Sequence, residues 1–121
     1  MHINLEAAEP NSIQSYSDNK IQINSISYEQ SLIVSREEII TDLTIKNILE
    51  MDEAYLELLL KNKPELILIG HTNTGQFPPL AIINQLAPKR IGLECMSIGA
   101  ACRTYNVLLS EDRRVVAGFI L

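Results

Sequence analysis

The sequence predicts a single three-layer α/β domain with an extra antiparallel β layer. A chain of 121 residues fits one domain and can bury roughly two thirds of its unfolded surface. The second half reads as strand, loop, helix, strand, loop, helix and strand, which is the rhythm of α/β proteins. The first half instead alternates short β segments with turns, so the extra layer is assigned to it.

Three short strands in the first half are predicted to form an antiparallel meander with one polar face. Apolar and polar residues alternate over residues 13–16 and again over 21–28, and a turn cluster separates the two segments. Residues 31–35 supply the third strand. The spacing changes between Ile23 and Ile26, which indicates a bulge or a bend in the second segment.

Two stretches of the first half carry weak or conflicting signals. Residues 1–11 show little periodicity, so we expect a mobile lead-in there and a single domain over residues 12–121. The stretch 36–51 begins with the form of a helix capping box, whereas its later β-branched residues favour strand. We expect a short extended piece near residues 39–43 and a strand near residues 45–49.

The second half contains the elements of an α/β unit. Asp52 has a side chain that can cap a helix, and Pro64 stops that helix. The continuous apolar run after Pro64 is typical of a strand covered on both faces. Pro78 and Pro79 suit the first turn of the next helix. The predicted elements are a helix over residues 53–62, a strand over 65–70, a helix over 78–87, a strand over 91–94, a helix over 99–109 and a strand over 114–120.

The composition excludes several classes of protein. The net charge is −5 and the basic residues are scattered, which argues against nucleic-acid binding because that function rewards dense positive charge. No apolar run approaches the roughly 18 residues of a membrane-spanning helix. The N-terminus lacks the basic-then-apolar pattern of a secretory signal, so the expected location is the cytoplasm.

The nucleophilic and metal-ligating side chains form no recognisable motif. Cys95 and Cys102 fit neither a zinc pattern nor a C-x-x-C redox pair, and we interpret them as small buried hydrophobes. His71 is the one histidine in a loop near the predicted site, with Cys102 and Ser97 as the available nucleophiles. Nothing in their spacing brings them together. We therefore assign no catalytic residue, no metal ligand and no cofactor.

A ligand of an α/β sheet is expected beyond the carboxyl ends of its strands. Two loops should meet there, residues 70–75 and residues 94–103. Each leads into a helix N-terminus, which favours an anion, and Gly70, Gly75 and Gly99 allow close approach of the backbone. A purely structural role of these glycines in tight turns stays open. The other side chains assigned to this crevice are His71, Thr72, Met96 and Cys102.

Arg103 is the cation closest to this crevice in the sequence. A cation in the first turns of a helix is mildly unfavourable, so Arg103 should have a partner. One alternative is an ion pair with Glu94 that fixes the strand against the helix; another is a guanidinium fork presented to a carboxylate or phosphate. The third is a solvent-facing side chain. Asn106, one helical turn further on, would add an amide contact to the crevice.

Several blocks of the sequence resemble one small family. They are Gly92-x-Glu94-x-Met96, the run Gly99-Ala100-Ala101-Cys102-Arg103-Thr104-Tyr105-Asn106-Val107-Leu108, the segment Glu111-x-Arg113-Arg114-Val115, and Pro64-Glu65-Leu66-Ile67-Leu68-Ile69-Gly70 with Pro78-Pro79 behind it. The family consists of largely uncharacterised bacterial and archaeal proteins related to the mitochondrial complex I assembly factor three. The human adipogenesis-associated Mth-domain protein also resembles it. The resemblance covers about residues 12–121.

The resemblance implies a more specific fold. It implies a central mixed five-stranded sheet whose last strand is antiparallel to the others. It also implies sheet rather than helix over residues 36–51. Combined with the order of the elements, this predicts helices on one side of the sheet and the extra antiparallel β layer.

For function, the resemblance implies a role through protein partners. The mitochondrial relative takes part in assembling a respiratory membrane complex, and no enzyme activity or cofactor is implied for the bacterial members. We therefore expect a non-enzymatic partner-binding or respiratory-complex assembly-type protein, with a homodimer through an exposed edge strand of the meander as a further expectation. The alternative is a small-anion-binding protein, or an enzyme, that uses residues 70–75 and 94–103.

Two departures from the family pattern lie in this crevice. Relatives often have Gly-Thr-Gly after the apolar strand, where this chain has Gly70-His71-Thr72. They often have Met-Asp-Thr before the next helix, where this chain has Met96-Ser97-Ile98. If the replaced groups form a pocket in the relatives, the pocket of this protein is different or weaker.

Overall fold

The computed structural model describes residues 9–121, which contain eight strands and three α-helices. Most of the predicted lead-in, residues 1–8, lies outside this range; within its last part, Glu9 pairs with Arg36 and the Asn11 amide donates to the Ser35 carbonyl. The elements are β1 (Ile13–Ser17), β2 (Lys20–Ile23), β3 (Ile26–Tyr28), β4 (Leu32–Ser35), β5 (Ile39–Ile40), α1 (Glu53–Leu60), β6 (Leu66–His71), α2 (Leu80–Leu86), β7 (Gly92–Ser97), α3 (Ile98–Ser110) and β8 (Val115–Phe119).

The main sheet has five strands in the order β5-β4-β8-β6-β7. β6 pairs parallel with both β7 and β8, and β4 pairs antiparallel with β8 and β5. The mixed five-stranded sheet is thereby confirmed, but the expectation that the last strand runs against the others is wrong. That strand is β4. β8 runs parallel to β6 because α3 carries the chain back to the end of the sheet where β6 and β7 begin.

A second, three-stranded antiparallel sheet has the order β1-β2-β3 and forms the predicted extra layer. Its third strand is β3, whereas residues 31–35, which we expected in the meander, form β4 of the main sheet. The change of spacing after Ile23 is a turn rather than a bulge, since Asn24 and Ser25 both have positive φ as in a tight hairpin. All four residues of β4 are buried, which fits a strand covered on both faces.

The main sheet separates two hydrophobic cores. α1 and α2 cover one face, around Leu59, Ile69 and Ile82. α3 and the small sheet cover the other face, around Leu68 and Tyr105. The prediction of helices on one side is therefore wrong. The crossover from β6 to β7 and the crossover from β7 back to β8 move along the sheet in opposite directions, so right-handed connections place their helices on opposite faces.

The ambiguous stretch 36–51 contains the two-residue strand β5 and a 3-10 helix, Ile48–Glu50. The strand expected near residues 45–49 does not form. The Asn47 side chain accepts a hydrogen bond from the Leu49 N–H at 2.7 Å, which caps the short helix, and Ile45 and Ile48 are both buried at helical spacing.

The remaining helices and strands of the second half form near their predicted positions. Asp52 caps α1 as expected, because its side chain accepts from the Tyr55 N–H at 2.9 Å. β7 extends to Ser97, three residues beyond its predicted end. Over residues 9–121, none of the helices has both the length and the apolar character that crossing a bilayer requires.

Candidate functional site

An open cleft of about 310 Å³ lies at the carboxyl ends of β6 and β7, where the strand order predicts a ligand site. The loop after β6 forms one wall and the end of β7 forms the other. Of the ten predicted site residues, three line the cleft: His71, Gly75 and Met96. The other residues that line it are Thr74, Gln76, Phe77, Cys95 and Ser97.

His71 lies at the inner end of the cleft and is almost fully buried. Its Nδ1 accepts a hydrogen bond from the Asn73 N–H at 3.1 Å, so in the neutral ring the proton is on Nε2. Burial lowers the pKa of the imidazole below its ordinary value, which favours this neutral form. His71 therefore presents an N–H donor, suited to a carbonyl or carboxylate oxygen, rather than a free base.

The two cysteines differ in position and share a protonated state. Cys95 lines the cleft, whereas Cys102 is completely buried in α3 and faces the core. Burial raises the pKa of Cys95 to about 11 and that of Cys102 to about 12, the latter despite the opposing charge of Arg103. Since the thiolate is the nucleophile, neither residue is activated for attack. Cys102 and His71 do not form a pair, since Cys102 lies in the core and His71 lines the cleft.

Two of the three predicted glycines serve packing. A Cβ at Gly70 would lie 2.9 Å from both the Ala101 Cβ and the Phe119 ring, so this glycine lets α3 approach the sheet. A Cβ at Gly99 would lie 2.9 Å from the Tyr16 ring. Gly75 differs, because it has φ of +81° and open space where a side chain would be, and it shapes the loop of the cleft.

Arg103 contacts the small sheet instead of the cleft. Its guanidinium donates a hydrogen bond to the Tyr16 hydroxyl at 2.6 Å, and the Tyr16 ring lies 6.0 Å from the guanidinium carbon. The side chain is exposed, and the proposed ion pair with Glu94 does not form within the described part of the chain. Glu94 is itself exposed on β7, and Thr72 is exposed beside the cleft without lining it.

Asn106 attaches β1 to α3. Its side-chain oxygen accepts from the Ile13 N–H at 2.8 Å, and its amide nitrogen donates to the Ile13 carbonyl at 2.8 Å, as a neighbouring strand would. One residue earlier, the Tyr105 hydroxyl donates to the Asn11 carbonyl at 3.0 Å. Together with the contact of Arg103 and Tyr16, these hydrogen bonds attach α3 to the small sheet and to the residue Asn11 that precedes it. They give Arg103, Tyr105 and Asn106 a structural role.

Five cleft residues are not among the site residues predicted from the sequence: Thr74, Gln76, Phe77, Cys95 and Ser97. Cys95 and Ser97 lie on the same face of β7, two residues apart, and the register pairs Ser97 with His71. Ser97 also caps α3, because its hydroxyl accepts from the Ala100 N–H at 3.3 Å. The alternation of β7 would have placed Cys95 and Ser97 on one face, had the strand been predicted to continue beyond Glu94.

A second cavity, of about 330 Å³, lies beside the start of α1 and includes Tyr55 in its wall. The Tyr55 hydroxyl is buried and has no hydrogen-bond partner within the described residues. It sits over Gly118, where an added Cβ would lie 2.3 Å from the phenol oxygen. Across residues 9–121, no three His, Cys, Asp or Glu side chains come close enough to hold a metal ion.

Comparison with protein families gives a match over nearly the whole chain. The model of the family described as "Protein of unknown function (DUF498/DUF598)" matches residues 13–120. The "13 kDa major membrane protein" of Francisella tularensis subsp. holarctica (strain LVS) is 35% identical over 101 residues, which cover 83% of this chain and 82% of that protein.

Solved structures show the same fold. A protein of Xanthomonas campestris superimposes with a TM-score of 0.81 at 30% identity, over 90% of this chain and 83% of its own. A Bordetella pertussis protein described as a Mth938-like domain superimposes with a TM-score of 0.71, over 99% of this chain and 90% of its own. Its identity is 22%, so this second likeness bears on the fold alone.

Proposed function

The chain belongs to the family of proteins of unknown function DUF498/DUF598. We propose that it is a non-enzymatic protein that binds a protein partner, in the manner of an assembly factor, and that the cleft at the ends of β6 and β7 takes part in this binding. The binding surface we propose is the cleft together with the open edge of β7. The proposed surface differs from the crevice predicted from the sequence. Of the residues predicted for that crevice, His71, Gly75 and Met96 line the cleft.

The observation that carries the proposal is the position of β7. It is the outermost strand of the main sheet beside β6, so one of its edges has no neighbouring strand in the described structure. Unpaired N–H and C=O groups along such an edge can accept an extended segment of another protein. The cleft lies at the end of this edge, where it can take a side chain of that segment.

The chemistry of the cleft supports binding over catalysis. The Cys95 thiol stays protonated, because burial raises its pKa to about 11. His71 offers a hydrogen-bond donor that fits a peptide carbonyl, and Phe77 and Met96 add apolar surface at the mouth. An apolar wall with a single directed donor suits recognition of a peptide side chain and its backbone.

The partner we propose is a component of a membrane-bound respiratory complex, or a protein that helps to assemble one. This follows from the resemblance to assembly factor three, and a relative that is called a membrane protein is compatible with it. We place the protein on the cytoplasmic side of that membrane. A homodimer through the meander remains a further proposal.

Filling the cleft tests the proposal. Thr74 is exposed and lines the cleft, so Thr74→Trp should block it with little effect on folding; Thr72→Trp is the matched control, because Thr72 is exposed just outside. Tagged protein is used to capture partners from a lysate of the source organism, followed by mass spectrometry. We expect wild type and Thr72→Trp to recover a membrane-complex subunit in stoichiometric amount, and Thr74→Trp to lose it.

Recovery of the tagged protein alone, or equal recovery by all three proteins, would count against partner binding at the cleft. The first result would favour the alternative, a small-anion-binding protein or an enzyme, with the His71 N–H as the donor. That alternative is checked by screening anionic metabolites for an increase in the melting temperature of wild type that Thr74→Trp does not show.

A further inference from the structure

α2 exposes two large apolar side chains to solvent, beside the polar Asn84 and Gln85. Leu80 is 68% exposed and Ile83 is 38% exposed, and their spacing of three places them on one side of the helix. Phe77, immediately before the helix, is 69% exposed. We call these three residues the α2 stripe. Single exposed apolar residues are ordinary, but three within seven residues, on α2 and the loop just before it, are an unpartnered surface.

The charges around the α2 stripe differ from those of the rest of the molecule. Residues 66–93 contain no Asp or Glu, and Lys89 and Arg90 follow directly after α2. This segment has a formal charge of +2, so the other residues together have −7 to give the net charge of −5. Lys89 and Arg90 are both exposed.

The neighbouring helix on the same face shows the opposite character. α1 presents Glu53 and Glu57 to solvent and has no large exposed hydrophobic residue. An ordinary solvated surface is therefore found on α1 but not on α2. A segment that combines exposed aliphatic and aromatic side chains with cations, and contains no acidic residue of its own, is complementary to an anionic lipid bilayer.

We propose that the α2 stripe docks on an anionic lipid bilayer, with Phe77, Leu80 and Ile83 entering the interface and Lys89 and Arg90 contacting lipid headgroups. The protein then binds as a peripheral protein. Charge complementarity selects this occupant. Two copies that meet through their α2 stripes would bring the cations Lys89 and Arg90 of each copy close to those of the other. An anionic bilayer matches both the apolar and the cationic part.

This inference goes beyond the proposed partner binding. The two surfaces share Phe77, which also lines the cleft, whereas Leu80, Ile83, Lys89 and Arg90 belong to the α2 stripe and its cations alone. The cleft variant Thr74→Trp keeps the α2 stripe, so it should bind lipid like wild type even if the partner proposal fails. Conversely, variants of the stripe test lipid binding in the absence of any other protein. The failures of the two proposals are thus distinguishable.

The experiment is co-flotation of the purified full-length protein with vesicles of phosphatidylglycerol and phosphatidylcholine in equal parts, beside vesicles of phosphatidylcholine alone. Leu80→Ser removes exposed apolar surface and should lower the ratio of bound to free protein about tenfold. Its control is Val107→Ser, because Val107 is 54% exposed on a helix at another place. Far-ultraviolet circular dichroism verifies that both variants fold.

The contribution of charge is tested with Lys89→Glu against Lys20→Glu, since both lysines are exposed and both changes alter the net charge equally. We expect Lys89→Glu to weaken binding about fivefold or more and Lys20→Glu to have a smaller effect. Binding of wild type should also weaken as salt is added.

Three results would overturn the proposal. They are no flotation of wild type with the anionic vesicles, equal binding of Leu80→Ser and wild type, and equal binding to vesicles with and without phosphatidylglycerol. A different outcome is that wild type does not bind the vesicles, while Leu80→Ser abolishes the recovery of a protein in the capture experiment. In that case the α2 stripe is a protein interface and the lipid assignment is wrong.

Discussion

Asn106 illustrates how a single side chain can replace a stretch of secondary structure. Its amide offers one donor and one acceptor in a fixed geometry, and both are used by the backbone of Ile13. β1 therefore has a polar neighbour on its outer side although no strand lies there in the described structure. The same helix turn contributes Tyr105 and Arg103, which bind Asn11 and Tyr16. At this scale, the polar residues of α3 hold the two layers together.

Replacing Asn106 with Ala should weaken this attachment. The substitution removes two hydrogen bonds and leaves the Ile13 N–H and carbonyl partly buried without a partner, so we expect a loss of about 2 kcal/mol in the free energy of unfolding. Urea denaturation followed by circular dichroism measures it. The control is Asn84→Ala, an exposed position on α2, which should change stability by less than about 0.5 kcal/mol. Equal effects of the two variants would refute the role of Asn106.

At the scale of elements, the contact between α3 and the main sheet depends on close approach at β6. Gly70 lies opposite Ala101 on α3 and beside Phe119 on β8, and all three are buried. The small residues Gly70 and Ala101 let the helix backbone lie near the sheet. Gly70 itself does not line the cleft. The cleft begins at the next residue, His71, where the chain leaves the sheet.

Substituting Gly70 with Ala distinguishes packing from loop geometry. The new Cβ would lie 2.9 Å from two neighbouring carbon atoms, so we expect overpacking to cost about 2 kcal/mol or more in the free energy of unfolding. Gly75→Ala is the comparison, because its Cβ meets open space and its cost, about 1 kcal/mol, arises from the positive φ. Thermal or urea unfolding measures both. A larger cost for Gly75→Ala than for Gly70→Ala would contradict the packing role of Gly70.

At the scale of the whole molecule, three titratable groups make the free energy of unfolding depend on pH in two separate ranges. His71 acts in one range, and Glu38 and Glu65 act in a more acidic one. Burial holds the folded-state pKa of His71 below its ordinary value of 6.5. The Asn62 amide and Lys61 lower the pKa of Glu38 below 4.5, and the Arg114 backbone N–H, followed by Arg113, lowers that of Glu65. In all three cases the unfolded chain binds the proton more readily than the folded chain.

The pH dependence of stability follows from the signs of these shifts. A folded-state pKa below the unfolded value gives stability that is complete above the unfolded pKa and is lost as the pH falls toward the folded one. His71 should therefore reduce stability as the pH falls below about 6.5, whereas Glu38 and Glu65 act only below about 4.5. We expect His71→Gln to flatten the curve of unfolding free energy between pH 7 and pH 5, measured by urea titration. A curve parallel to that of wild type would exclude His71 as the group responsible.

Much of the fold could be read from local patterns. The cap at Asp52, the stop at Pro64 and the apolar run of β6 act within a few residues, so their elements form where the sequence predicts them. The stretch around Asn47 could not be read correctly, because its β-branched residues favour strand while Asn47 caps a 3-10 helix whose Ile48 is buried by tertiary packing. A local conflict of this kind is decided by distant contacts.

The candidate site could be predicted only in its location. Strand order places a cleft at the ends of β6 and β7, and His71, Gly75 and Met96 line it. Of the three alternatives for Arg103, the ion pair with Glu94 does not form; the guanidinium contacts Tyr16 instead, 87 positions earlier in the chain. Proximity in sequence favoured Glu94, whereas the small sheet that carries Tyr16 packs on α3 by non-local contacts that no pattern in the α3 segment reveals.

The sequence by itself determined the class of the protein and the order of most of its elements, because caps, prolines and apolar periodicity act over a few residues. The tertiary structure decided which strand runs against the others, that the helices lie on both faces of the sheet, and that Cys95 rather than Cys102 borders the cleft. These features depend on the order of strands in the sheet. That order is set by burial summed over residues far apart in the chain, and no local window contains it.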